Sequence, residues 1–163
     1  MKNTLLIALF LASTVSISAQ AQGNAKYIKA MEKAVGGLDT LRTGAQWLEK
    51  SNQFERIAQK ETGEWLPYYY VALCQAMIFN LDQDAAKYEA LCDKAEKFLA
   101  VADSLNPNNS EVYVLKNMSA GMRIRINPMV NGQKYGPLDA KTIEQAIAID
   151  TENQRDKITK DIE

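Results

Sequence analysis

Between Val112 and Leu138 the chain carries Lys116, Arg123, Arg125 and Lys134 and no acidic residue. Guanidinium forks and ammonium groups gathered in this way suit carboxylates, so the run points to an anion or an acidic peptide as partner. Tyr135, next to Lys134, adds an aromatic face. Lys116, Arg123, Arg125, Lys134 and Tyr135 are therefore the candidate partner-binding residues. The competing reading of the same run is a solvated helix face beside an ordinary loop. Nucleic acid is a poor fit, because the patch is small and the formal net charge of the whole chain is −1.

Other chemistry finds little footing. The chain has no histidine, which removes the commonest general base and the commonest metal ligand. Its two cysteines, Cys74 and Cys92, are too few for a zinc site, and a cysteine nucleophile would lack an imidazole partner. They either pair across two facing helices or pack as small buried residues. Asp82 and Asp84 lie in a polar turn and read as solvated rather than as a paired acid and base. No Gly-x-x-x-x-Gly-Lys-Ser/Thr or Gly-x-Gly-x-x-Gly segment is present to cradle a nucleotide. The expectation is a protein without catalysis, cofactor or bound metal.

The elements that must position these residues are helical. Residues 1–21 stand apart as an export signal: Lys2, the apolar run Leu5–Val15, then Ser16, Ser18, Ala19 and Ala21, with cleavage after Ala19 or Ala21. A membrane anchor is the alternative, but the run is short for a hydrocarbon layer of about 30 Å. The mature protein is expected to be periplasmic or secreted, with no membrane span. A first helix spans 24–42, weakened or kinked by Gly36 and Gly37, and Thr43 with Gln46 has capping-box spacing for the second. Trp65 to Asn80 and Ala85 to Leu105 form a helical hairpin, with Ala95 at the contact between its helices and Glu96 facing solvent. Three successive tyrosines, Tyr68 to Tyr70, cannot share one face, so at least one should point away from the core. Asn109 or Ser110 caps a fifth helix. Two prolines and two glycines make 127–137 a long loop, and Pro137 opens a sixth helix with Leu138, Ile143, Ala146 and Ile147 inside. Residues 152–163 form a polar, frayed tail that leaves the Ile143–Ile147 side open to self-association through the C-terminal helix.

Phe54, Ile57 and Thr62 have the same spacing as Leu99, Ala102 and Pro107 and as Ile143, Ala146 and Thr151, at offsets of 45 and 44 residues. A helix pair repeated at near-constant period predicts stacked hairpins. Tyr70, Leu73, Cys74 and Met77 followed by Ala95, Leu99, Ala102 and Pro107 resemble the pattern of tetratricopeptide-repeat (TPR) proteins. The chain is similar to small exported members of that family of uncharacterised function. Lys116, Asn117 and Asp139 depart from the pattern, standing where Leu, Gly and Ala are usual, and the period is about ten residues longer than the family's. The resemblance implies an all-α domain over 24–151, a TPR-like α-solenoid of about three antiparallel helix pairs, that binds a protein or peptide. The alternative is a shortened or vestigial structural version of a longer repeat protein.

Overall fold

The computed structural model describes residues 25–162, with side chains through Thr151. The export signal, 1–21, lies outside the described residues. The chain falls into two compact units, Met1–Leu38 and Asp39–Glu163.

In the first unit, helix α1 covers 25–35, with Met31 and Ala34 as its buried residues. The glycines end this helix rather than kink it. Gly36 N–H closes the last turn on Glu32 O at 2.9 Å, and Gly37 takes φ 78°, the left-handed exit that favours glycine.

The second unit is all-α. A 3-10 turn at Leu38–Thr40 leads to α2 (Gly44–Lys60), α3 (Trp65–Leu81), α4 (Tyr88–Leu105), α5 (Ser110–Ile126) and α6 (Pro128–Ile162). Each helix packs on the next in sequence, and α3 also packs on α5. Among the described residues, no helix is long and apolar enough to cross a membrane.

Local chemistry fixes the starts of α2 and α5. Gln46 N–H donates to Thr43 Oγ1 at 3.3 Å while Thr43 N–H donates to Gln46 Oε1 at 3.0 Å, the capping box expected from the sequence. At α5 the cap is Asn109, whose Oδ1 accepts from Glu111 N–H and Val112 N–H at 3.0 and 3.3 Å. It follows Asn108, the one described non-glycine residue with positive φ, at 59°.

The helix α3 lies between α2, α4 and α5, so its apolar residues go all the way round: Val71, Ala72, Cys74, Ala76, Ile78 and Phe79 are all buried. Its one fully buried amide, Gln75, donates from Nε2 to Ser51 Oγ of α2 at 2.7 Å, which satisfies a donor in an apolar surround. The three tyrosines do point three ways, but none is idle. Tyr68 donates to Ala58 O at 3.1 Å, Tyr69 to Glu111 Oε2 at 3.3 Å, and Tyr70 stacks on Phe54 with ring centroids 4.7 Å apart. The fully surrounded position of α3 explains why no face was left over.

Cys92, Ala95, Leu99 and Ala102 are the buried stripe of α4. Ala95 is 1% exposed, so Ala95→Leu should overpack the contact and cost about 1–3 kcal/mol. Chemical denaturation of the variant checks this, and a near-neutral result would place Ala95 off the contact.

The segment 127–137 is a helix, not the expected loop. Asn127 caps it, its Oδ1 accepting from Val130 N–H at 3.2 Å, and Pro128 takes the first helical position, where no intrahelical donor is lost. Pro137 therefore lies inside α6 rather than at its start. Two glycines and a proline weaken this stretch by local propensity. Hydrogen bonds to α5 offset that cost: Asn131 Nδ2 donates to Arg123 O at 2.7 Å, and Asn117 Nδ2 donates to Asp139 O and Oδ1, both at 2.8 Å. Asn117 and Asp139, two of the departures from the repeat pattern, thus join α5 to α6 by polar bonds where small residues would join them by close approach.

Along α6, Leu138 departs from its expected place inside, while the Ile143–Ile147 side is the one expected to be left open. Thr142 and Ala146 are buried, whereas Leu138, Ile143 and Ile147 are exposed. The backbone of 152–162 continues α6 rather than fraying.

Candidate functional site

The five candidate residues do not form one basic patch. Arg123 is 7% exposed and lies against an acidic stripe of α4. Its Nε donates to Glu96 Oε1 at 2.7 Å and its Nη2 to Glu96 Oε2 at 2.9 Å, while Nη1 and Nη2 also reach Glu89 and Asp93. These bonds, that to Glu96 foremost, raise the guanidinium pKa further above its already high ordinary value. Arg123 is a buried clamp between α4 and α5, not a free anion contact, and Glu96 is part of that clamp rather than idle surface.

Lys116 Nζ pairs with Asp103 Oδ2 at 2.7 Å and lies 4.9 Å from the Tyr113 ring centroid. Arg125 turns toward α3, donating to Asn80 Oδ1 at 2.6 Å with its guanidinium 5.0 Å from the Phe79 ring. Lys134 and Arg123 approach the ring of Tyr135 at 4.9 and 5.9 Å. Lys116 and Arg123 of the acid-free run are therefore neutralised from α4. Glu89, Asp93 and Glu96 recur at four and three residues, a one-face spacing legible in the sequence, but charge counted along the chain does not show which helix lies opposite.

Lys116 and Tyr135 do meet, in a groove of about 550 Å³ between α4, α5 and α6. Its walls are largely apolar, with Leu99 and Ala100 from α4, Ala120 from α5 and Leu138 from α6. Tyr113 and Tyr135 add aromatic surface, and neither hydroxyl has a hydrogen-bond partner among the described residues. Two polar atoms on this lining, Ser119 Oγ and Asp103 Oδ1, are buried and unsatisfied. Ser119 is itself only 4% exposed. Lys141, also on the lining, has no ion pair among the described residues. An apolar cleft of this size with a few convergent polar groups is the ordinary form of a ligand site. Sequence reading missed Asp103, Ser119 and Lys141, because each is unremarkable until three helices are brought together.

A second groove of about 780 Å³, between α2, α3 and α4, is lined by Leu48, Ile78, Leu81 and Leu91. Its cations are already engaged, Lys87 with Asp82 and Asp84 and Lys94 with Glu55. Asp82 and Asp84 are turn residues here. Asp82 Oδ1 accepts from Asp84 N–H at 2.9 Å, and this bond together with Lys87 holds the Asp82 carboxyl below its usual range. That arrangement organises a loop.

No family model matches the chain, and no curated protein does. Among solved structures, the HusA haemophore from Porphyromonas gingivalis is similar, with a TM-score of 0.65 and 30% sequence identity. The match covers 76% of this chain and 60% of that one, so the chain spans less than two thirds of the haemophore's length. The two share a fold over the matched stretch.

Both cysteines are buried free thiols, and burial pushes Cys74 up to about 12 and Cys92 up to about 11. Neither is a thiolate at neutral pH. Among the described residues, no group of three or more His, Cys, Asp or Glu side chains is placed to hold a metal ion. A raised folded pKa means that the unfolded thiol ionises first. Stability should therefore be intact below the ordinary thiol value of 9.0 and decline as pH rises through about 12. Tyr69, pushed up to about 12 by burial and then by Glu111, acts with the same sign. A thermal-melt series from pH 8 upward should show this loss, reduced in Cys74→Ala. An unchanged slope in that variant would remove Cys74 as a cause.

Proposed function

We propose that the chain is an exported, non-catalytic binding protein that carries a flat, mostly apolar ligand of the haem class in the groove between α4, α5 and α6. The observation that carries this reading is the groove itself, about 550 Å³ with apolar walls and unsatisfied polar atoms. The likeness to a protein described as a haemophore supports the ligand class. Leu99, Ala120 and Leu138 would take the ring, Tyr113 and Tyr135 would lie against it, and Lys141 would meet a carboxylate at the edge. With no histidine in the chain, recognition rests on the ring faces and the carboxylates. The scaffold is read as TPR-like hairpins, supported by the offsets of 45 and 44 residues and by helices that pack on their neighbours in sequence.

A peptide is the second reading. Asp103 Oδ1 can only accept a hydrogen bond, so it favours a ligand with a donor, such as a backbone N–H or a lysine. Absorbance titration with haem separates the two. Saturable binding that weakens at least tenfold in Leu138→Trp, which fills the groove mouth, supports the haem reading. No binding, or equal binding by the variant, removes haem from this groove.

A further inference from the structure

The main helix contacts run from α4 to α5 and from α5 to α6, so the spacing of α4 and α6 across the groove is set largely through α5. Toward one end of the groove two side chains divide that task. Lys116 pairs with Asp103 of α4, and Asn117 donates to Asp139 of α6. About two turns further along α5 it falls to a single residue, Arg123. Its guanidinium holds Glu96 of α4 through two bonds, at 2.7 and 2.9 Å, and also reaches Glu89 and Asp93. Its backbone oxygen accepts from Asn131 Nδ2 of α6 at 2.7 Å, and its guanidinium lies 5.9 Å from the ring of Tyr135. Asn131 and Tyr135 are four residues apart, so both contacts fix the same face of α6.

Glu96 and Tyr135 line the groove on opposite walls, whereas Arg123 is not on the lining. One buried group behind the walls thus touches a lining residue on each side. The two-point bond to Glu96 fixes the plane of the guanidinium, and a fixed cation beside a ring limits where that ring can rest. Lys134 also approaches the Tyr135 ring, at 4.9 Å, but from an exposed place on α6 itself. It moves with the helix and cannot place it.

Taking the groove as the ligand site, we infer that Arg123 is a positioning residue for it. Arg123 does not touch the ligand. It acts through Glu96 and Tyr135, setting the Tyr135 ring against the bound molecule and the gap between α4 and α6 at that end. A ring held in place before binding loses less freedom on contact, so the guanidinium contributes to affinity from behind the wall.

A double-mutant cycle, read by absorbance titration of the chain with haem, tests this. Arg123→Met keeps the stem and removes the guanidinium, and should weaken haem binding at least tenfold. Tyr135→Ala should weaken it by a similar factor, and the two changes together little more than either alone, because both undo the same placed ring. Tyr113→Ala, near the Lys116 end of the groove, should instead multiply in full with Arg123→Met, which a general loosening of the groove would not allow. Glu96→Gln alters only a partly exposed carboxylate, so the cycle with Tyr135→Ala can also be closed on it, with the same sign of coupling and a smaller amplitude. Circular dichroism on the same samples confirms that each variant is folded. Unchanged haem affinity in Arg123→Met, or a Tyr135→Ala loss that is equal in both backgrounds, overturns the positioning role and leaves haem in the groove. A wild-type chain that takes up no haem removes the ligand reading, and the positioning role with it.

Discussion

Arg123→Ala is expected to destabilise the protein by about 2–3 kcal/mol, read as a lower urea midpoint. The guanidinium is buried, and it is the shared partner of Glu89, Asp93 and Glu96 on the neighbouring helix. Removing one side of a buried ion pair commonly costs 3–5 kcal/mol, since the charge left behind is stranded. Here the carboxylates are 41–71% exposed and rehydrate once the arginine is gone, which moderates the loss. What remains is the packing of the arginine stem and the tie between α4 and α5. Arg123→Met keeps most of the stem and should therefore recover part of the loss, whereas Arg125→Ala, at an exposed bond to Asn80, should cost under about 1 kcal/mol. Equal effects at Arg123 and Arg125 would show that the clamp contributes nothing beyond ordinary surface pairing.

A larger loss, about 3–5 kcal/mol, is expected for Phe54→Ala. Phe54 is 0% exposed and its ring stacks on Tyr70 at an interplanar angle of 13°. Truncation removes the transfer free energy of the ring and leaves a cavity between α2 and α3 that helices on both sides hold open. Phe54→Leu should recover more than half of it, because the branched side chain refills much of the space. Differential scanning calorimetry reads both. A Phe54→Ala cost below about 1 kcal/mol would mean that α2 collapses onto α3 and closes the space.

The helix ends at Thr43 and Asn109 could be read from the sequence because a cap is decided within four residues. The start of α6 could not. Its Pro and Gly content gives a loop signal at every local scale, and the deciding bonds come from Asn117 and Arg123 on α5, which lie 22 and 8 residues from their partners along the chain. The acidic partners of Arg123 were hidden for the same reason, since they are 27–34 residues distant along the chain. Lys116 and Tyr135 were picked out for their charge and ring, and both do line the groove, but Ser119 entered only through its burial without a partner. Periodicity shows how a helix is striped; it does not show which neighbour covers each stripe.

The central position of α3, packed on α2, α4 and α5, has a consequence for how the chain folds in time. Nearly every helix contact in this unit joins sequence neighbours, so little loop entropy is lost before contacts form, and folding should be fast. Both α3 and α5 have three helix partners, but α3 is the one with buried apolar residues all the way round, so its ordering lets the most apolar surface condense, which makes it the natural nucleus. Val71→Ala should then slow folding, while Ala146→Gly, out on α6, should mainly speed unfolding. Stopped-flow chevrons distinguish these arms, and the opposite pattern would place the nucleus in the α5–α6 hairpin instead.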